Sequence, residues 1–120
     1  MKKCIFCKII KGEESNCTVV FENEKVIAIK PIHEINPGHT LIIPKEHTVD
    51  IFDTPTDLLK ELIDVSQQLA VSLKEKHQST GVNILHASGK DAGQSVFHFH
   101  IHVVPRYLDD GLDLWLKRSL

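Results

Sequence analysis

The stretch Phe97-His98-Phe99-His100-Ile101-His102-Val103-Val104 alternates imidazole with apolar side chain, and it constrains the fold more than any other part of the chain. Successive side chains of a strand point to opposite faces, so His98, His100 and His102 belong to one face and Phe97, Phe99, Ile101 and Val103 to the other. Packing the apolar set against a helix fixes the register. A slip by one residue would bury the three imidazoles and put four apolar side chains in water. The pattern predicts a strand from Val96 to Val104, ended by Pro105, with imidazoles spaced about 6.6 Å apart along it.

The remaining elements follow from local chemistry. Cys4–Glu14 reads as a short helical turn ended by Gly12. Thr18–Glu22 and Val26–Ile29 are β-rich runs joined by a hairpin turn at Asn23-Glu24-Lys25. Ile35-Asn36-Pro37-Gly38 has loop chemistry, and Thr40–Ile43 is a strand stopped by Pro44. A long helix is predicted from about Pro55 to His77, with Thr54 as the capping hydroxyl and Asp57 in the first turn. Its apolar positions are Leu58, Leu59, Leu62, Ile63, Leu69 and Leu73. Gly81–His86 begins another strand, and Ser88–Gln94 is a polar loop carrying Gly89 and Gly93. This order gives an α+β fold: an antiparallel sheet with one long and one short helix, in a single domain over residues 1–120.

A net charge of -2 argues against non-specific nucleic-acid binding, though not against one small anionic ligand. Met1-Lys2-Lys3 is not followed by a signal-peptide pattern, and no run approaches a membrane span of roughly 18 apolar residues. With three cysteines, Cys4, Cys7 and Cys17, the chain has no disulfide framework, and a cytoplasmic protein without a membrane partner is expected.

Eight histidines in 120 residues concentrate interest on the alternating segment. One reading is a polar strand face. A second is a metal face, since His-x-His on a strand can supply two zinc ligands. A third is covalent chemistry, because neutral imidazole is a good nucleophile toward phosphorus near neutral pH. The preceding loop favours the third. Gly89 and Gly93 let backbone N–H groups approach an anion, and Gln94 and Ser95 add neutral donors.

His98-Phe99-His100-Ile101-His102-Val103-Val104 resembles the histidine-triad (HIT) signature, three histidines separated by apolar residues. The resemblance extends through Ile5–Ile10, Pro37–His47, Ala92–Phe97 and Val104–Tyr107. It is closest to bacterial-type HIT hydrolases of the nucleotide-binding branch. It implies a five-stranded antiparallel sheet and a homodimer with the long helix at the interface. It also implies a purine nucleotide or nucleotide conjugate as partner, and hydrolysis of purine nucleoside phosphoramidates or related nucleoside monophosphate derivatives. By the same resemblance His100 carries a nucleotidyl intermediate, His102 contacts phosphate and assists proton movement, and Ser95 donates to phosphate or leaving group. Gln94 and Gly93 shape the phosphate pocket, His39 supports the triad, and Phe6, Ile9, Ile29 and Ile32 line the base pocket. A nucleotide-binding regulatory protein with little activity is the alternative.

Cys4-x-x-Cys7 lacks the βαβ context of a redox motif and reads better as half of a four-ligand zinc site. In relatives that carry this pair, the other ligands match His47 and His98, which makes the zinc structural and leaves His100 free. Such a closed site has no open position for a metal-bound water. The sequence departs from the family at Pro31, where a ribose-binding aspartate is usual, and at Ala87, where an amide is usual. The tail Asp110–Trp115 resembles a family segment that lies near the partner subunit's active site.

Overall fold

A computed structural model describes residues 4–117; Met1-Lys2-Lys3 lies outside them. The chain runs α1 (Ile5–Ile10), β1 (Val19–Glu22), β2 (Val26–Ile29), β3 (Thr40–Pro44), α2 (Thr56–His77), β4 (Gly81–Leu85), a 3-10 turn (Lys90–Ala92) and β5 (Ile101–Arg106). The strands form one antiparallel five-stranded sheet in the order β1-β2-β3-β5-β4. The α+β class, the five strands and the pair of helices are as expected from sequence.

Alternation along the central strands builds two apolar layers. Val26 and Ala28 of β2, Ile42 of β3 and Ile101 and Val103 of β5 pack with Phe99 against Leu58, Leu62 and Val65 of α2. Ile27, Ile29, Leu41 and Ile43 face the opposite way and pack with Cys4 and Phe6 around α1. Both faces of β2 and β3 are therefore covered, which is why these strands read as unbroken apolar runs. Each fully buried large side chain, such as Phe99, stabilises the fold by about 1.5–3 kcal/mol.

The β1–β2 turn is built by Asn23, whose Oδ1 accepts from the backbone N–H groups of Lys25 and Val26 at 2.9 and 2.8 Å. Gly12 closes α1 at φ +76, its N–H donating to Ile9 O. Gly38 must remain small: it sits at φ +91, and a Cβ there would meet Pro105 Cγ at 3.0 Å. That close approach sets the loop leading into His39.

Several boundaries differ from expectation. β5 begins at Ile101, not Val96, and β4 ends at Leu85 before His86. Pro44 is the last residue of β3 and pairs with Val26, whereas Pro105 does not stop β5: it pairs with Val82 and the strand runs on to Arg106. The N–H and C=O of one strand residue point the same way, so a carbonyl's partner shows where the missing N–H would point. Pro44 O accepts from the His98 ring and Pro105 O from Asn36 Nδ2, both off the ladder in use. The β3–β5 register spans only Thr40–Ile42 with Ile101–Val103, so neither proline removes a ladder bond.

Thr54 does not cap α2. Its hydroxyl donates to Asp50 O and accepts from the Thr48 hydroxyl, and Pro55 occupies the cap without a side-chain bond. Phe97 is 48% exposed and does not join Phe99, Ile101 and Val103, while Ile63 on α2 is 55% exposed.

Candidate active site and metal centre

The histidine segment straddles the start of β5. Only His102 lies in the strand; His98 and His100 precede it, so pleat geometry alone does not aim them. Other bonds hold this stretch. His98 Nε2–H donates to Pro44 O at 2.8 Å, and Phe99 N–H donates to Thr48 O at 2.8 Å. His100 Nδ1–H donates to His98 O at 2.8 Å. Together these keep the three imidazoles on the α1 side of the sheet. Phe6 meets both His98 and His100 in T-shaped contacts, with centroids 5.8 and 5.1 Å apart, and the His100 ring centroid lies 5.2 Å from that of His102.

His100 differs from its two neighbours in which ring nitrogen carries the proton. A carbonyl only accepts, so His100 carries its proton on Nδ1 and its lone pair on Nε2. Burial, with His86 nearby, lowers its pKa, which favours the neutral nucleophilic form, although its bond to His98 O acts in the other direction. His102 is the reverse. Ile35 N–H donates to His39 Nδ1 at 3.2 Å, so the His39 proton resides on Nε2 and is given to His102 Nδ1 at 3.0 Å. His102 then holds its proton on Nε2 and is a donor there. Burial first, then the neighbouring His100, His39 and His86, push its pKa down to about 4.

This burial has a consequence for stability. His102 and His39 both have lowered folded-state pKa values, chiefly through burial; for His39, Glu34 opposes the shift. Between the ordinary value of 6.5 and about 4, the unfolded chain binds more protons than the folded one. Stability is therefore fully present above pH 6.5 and falls as pH drops through that window. Thermal melts should show a lower Tm at about pH 5 than at about pH 7.5. An equal or higher Tm at the acid value would contradict neutral burial of the pair.

The glycine loop is tied to the segment after β3. Gln94 is buried. Its Oε1 accepts from Gly89 N–H at 2.7 Å, and its Nε2 donates to Val49 O at 2.7 Å and Val96 O at 3.1 Å. Its side chain is thus spent on loop shape and not offered as a donor. Gly93 sits at φ +102 with nothing near an added Cβ, and Ser95 is exposed at the mouth of the loop. Phe6, Ile9 and Ile29 gather in the apolar cluster on the α1 face, whereas Ile32 is 88% exposed and stands apart from it. The tail is anchored through Asp110, which pairs with Arg106 and accepts from Asn36 Nδ2, Tyr107 N–H and Leu112 N–H. Arg106 and these donors hold the Asp110 carboxyl well below its usual range. Trp115 is exposed.

Cys4, Cys7, His47 and His98 converge with all ligand atoms within 4.8 Å of one another. Cys4 Sγ lies 3.4 Å and Cys7 Sγ 3.6 Å from His98 Nδ1, and Cys7 Sγ lies 3.0 Å from His47 Nδ1. Sulfur and nitrogen ligands of one tetrahedral zinc stand roughly 3.3–3.8 Å apart, so the set fits such an ion. His98 is 0% exposed and already donates its other N–H to Pro44 O, as liganding histidines commonly do. Burial and the adjacent Cys4 push the Cys7 thiol up, against a smaller opposing effect of Lys11. A cation between the sulfurs would reverse that. The four residues can hold a metal ion.

Sequence reasoning left out the residues of the 48–51 segment. Thr48 O and Val49 O bind the histidine stretch and Gln94, and Ile51 N–H binds Ser88 Oγ at 2.9 Å. These are mostly backbone groups, which leave no composition signal.

An antiparallel sheet with imidazoles, a glycine loop and a Cys/His cluster gathered at one end defines a histidine-triad protein with a hydrolase-type fold. The HIT domain model matches residues 12–109, and the chain belongs to the HIT family. It is 39% identical over 106 residues to Protein hit of Bacillus subtilis, covering 88% of this chain and 72% of that one. Among solved structures, a zinc-bound histidine triad family protein from Mycobacterium smegmatis is 40% identical with a TM-score of 0.89, covering 93% of this chain and 81% of the other. A HIT family hydrolase from Legionella pneumophila is 35% identical with a TM-score of 0.76, covering 85% and 91%. No helix among the described residues is long and apolar enough to cross a membrane.

Proposed function

We propose that residues 1–120 form a single HIT domain that hydrolyses purine nucleoside phosphoramidates or related nucleoside monophosphate derivatives through a covalent nucleotidyl-histidine at His100. The observation that carries this reading is the division of roles within the triad. His98 faces the Cys pair, His100 keeps a free basic Nε2, and His102 presents a neutral N–H donor.

In the first displacement His100 Nε2 attacks the α-phosphorus. The N–P bond forms as the bond to the leaving group breaks, and the departing amine takes a proton delivered through the Ser95 hydroxyl or the phosphate itself. His102 Nε2–H and the loop amides near Gly93 stabilise charge on the phosphoryl oxygens. Water then attacks phosphorus, the N–P bond breaks with its electron pair returning to His100 Nε2, the proton lost by water restores the one spent on the amine, and nucleoside monophosphate leaves. Phe6, Ile9 and Ile29 offer an apolar wall for the base. His39 fixes the tautomer of His102. Pro31 stands where the family resemblance implies a ribose-binding aspartate, and Glu34, the nearby acid, is engaged by Lys30 at 3.1 Å and by Gly38 N–H.

Zinc held by Cys4, Cys7, His47 and His98 would fasten α1 and the segment after β3 to the histidine stretch, a structural role. The zinc-bound relative supports zinc as the metal. A homodimer is supported by β4, a sheet-edge strand with Val82 and Ile84 exposed, beside Ile63 and Val71 exposed on α2.

The test is to trap the intermediate. Protein mixed with adenosine 5′-phosphoramidate and quenched in alkaline denaturant, where a histidine N–P bond survives, is digested and examined by mass spectrometry. The adduct is expected on His100. An adduct on His98 or His102, or turnover with no adduct under any quench, would overturn the mechanism.

A further inference from the structure

His86 follows β4 directly, is exposed, and has no part in the chemistry above. Its surroundings are specific nonetheless. Its Nδ1 lies 2.9 Å from His100 O, and its ring stacks on Phe99 with centroids 4.3 Å apart at 27°. Its Nε2 meets Ser88 Oγ, which in turn accepts from Ile51 N–H at 2.9 Å. Donor and acceptor roles are forced along this chain. A carbonyl accepts only, so Nδ1 of His86 carries the proton; Nε2 of the neutral ring must then accept, and the Ser88 hydroxyl donates to it.

The position of this chain in the sheet gives it meaning. The β4–β5 ladder ends at Leu85 opposite His102, and the β3–β5 ladder ends at Ile42 opposite Ile101. His100 is thus the first residue beyond the ladders, with no strand pairing of its own. Its peptide plane to Ile101 fixes ψ of His100, and with it the direction in which the imidazole leaves the backbone. The ring is tied at one end by His98 O. The His100 carbonyl is tied at the other by His86.

We propose that His86 is a positioning residue for the nucleophile: its Nδ1–H stands in for the missing ladder bond at His100 O, and Ser88 with Ile51 N–H holds the His86 ring in the tautomer this requires. The proposal rests on His100 being the nucleophile. It explains how an unpaired residue at the end of a strand is kept in an attacking geometry, where a displacement of about 1 Å can cost about 10²-fold in rate.

Two substitutions separate the hydrogen bond from the packing. His86→Phe keeps an aromatic ring on Phe99 and removes the donor. His86→Asn places an amide N–H where Nδ1 was and removes the ring. With adenosine 5′-phosphoramidate as substrate, His86→Phe is expected to lower kcat by about 10- to 100-fold with KM within about two-fold, because ground-state binding does not need the aligned attack. His86→Asn is expected to retain kcat within about three-fold despite the lost stacking. In imidazole ¹⁵N spectra, the Nδ1–H form of His100 should dominate in the parent and in His86→Asn, and average with the other tautomer in His86→Phe. Parent-like kcat in His86→Phe, or equal loss in both variants, would overturn the proposal. His100→Ala run alongside tells the two failures apart. If that variant is dead while His86→Phe is parent-like, only the positioning role falls; if it turns over normally, the nucleophile assignment falls and this inference with it.

Discussion

His100→Ala is expected to lower turnover of adenosine 5′-phosphoramidate by on the order of 10³-fold or more while the protein stays folded. The reason lies in what the ring does in each state. In the resting protein its recorded polar bond is Nδ1–H to His98 O, an acceptor two residues away that water can also serve. Its removal leaves a space on the α1 side of the sheet, beside Phe6, without touching the α2-facing core of Phe99, Ile101 and Val103. Stability should therefore change little. The reaction, in contrast, loses the atom that forms the N–P bond. Neither neighbour can replace it: His98 Nδ1 faces two sulfurs, and His102 Nε2 holds a proton. Residual turnover would come only from water attacking a phosphate held in the same cradle. Initial rates at saturating substrate, with a thermal melt on the same sample, check both halves. Parent-like turnover in a folded variant would end the nucleophile assignment.

The division of sides in the histidine stretch was legible in the sequence; its backbone was not. Alternation put Phe99, Ile101 and Val103 toward α2 and the imidazoles opposite, and this held for a chain that enters the sheet only at Ile101. Side-chain burial drives that choice whether or not ladder bonds are made. Phe97 broke the pattern because the chain there is still leaving the glycine loop, whose course is set by the Gln94 amide. Pro44 does end β3, but Pro105 lies within β5, because proline's missing N–H matters only on the paired side, and sequence does not show which side is paired. Thr54 looked like a cap, but its hydroxyl was taken by Asp50 O and Thr48, groups near in space whose geometry a linear pattern cannot carry. The Cys/His convergence was legible at Cys4-x-x-Cys7 by spacing alone. His47 and His98 came only through family resemblance, since 40 and 91 residues separate them from Cys7.

Removing zinc from metal-loaded protein is expected to lower Tm by about 10 °C or more, equivalent to roughly 2 kcal/mol for a domain of this size. The four proposed ligands come from the α1 N-terminus, the α1 helix, the segment after β3 and the histidine stretch. Without an ion, the bonds among them are weak sulfur contacts of 3.0–3.6 Å, and α1 is a six-residue helix too short to persist unaided. Its burial of Phe6 then has to hold it against the sheet alone. An ion bound there stabilises the folded state because the unfolded chain does not bring these ligands together. The same geometry predicts how activity responds. His98 reaches the nucleophile through its backbone carbonyl, so loosening the site should weaken alignment of His100 without removing the attacking nitrogen. Metal-free protein assayed below its lowered Tm should retain measurable turnover, whereas a hydrolase working through metal-bound water would lose it entirely. Metal analysis before and after chelation, paired with melts and rates on both samples, separates these cases. An unchanged Tm after verified removal of the metal would sink the fastening role, and complete loss of turnover in a folded apo-protein would point to chemistry at the metal instead of at His100.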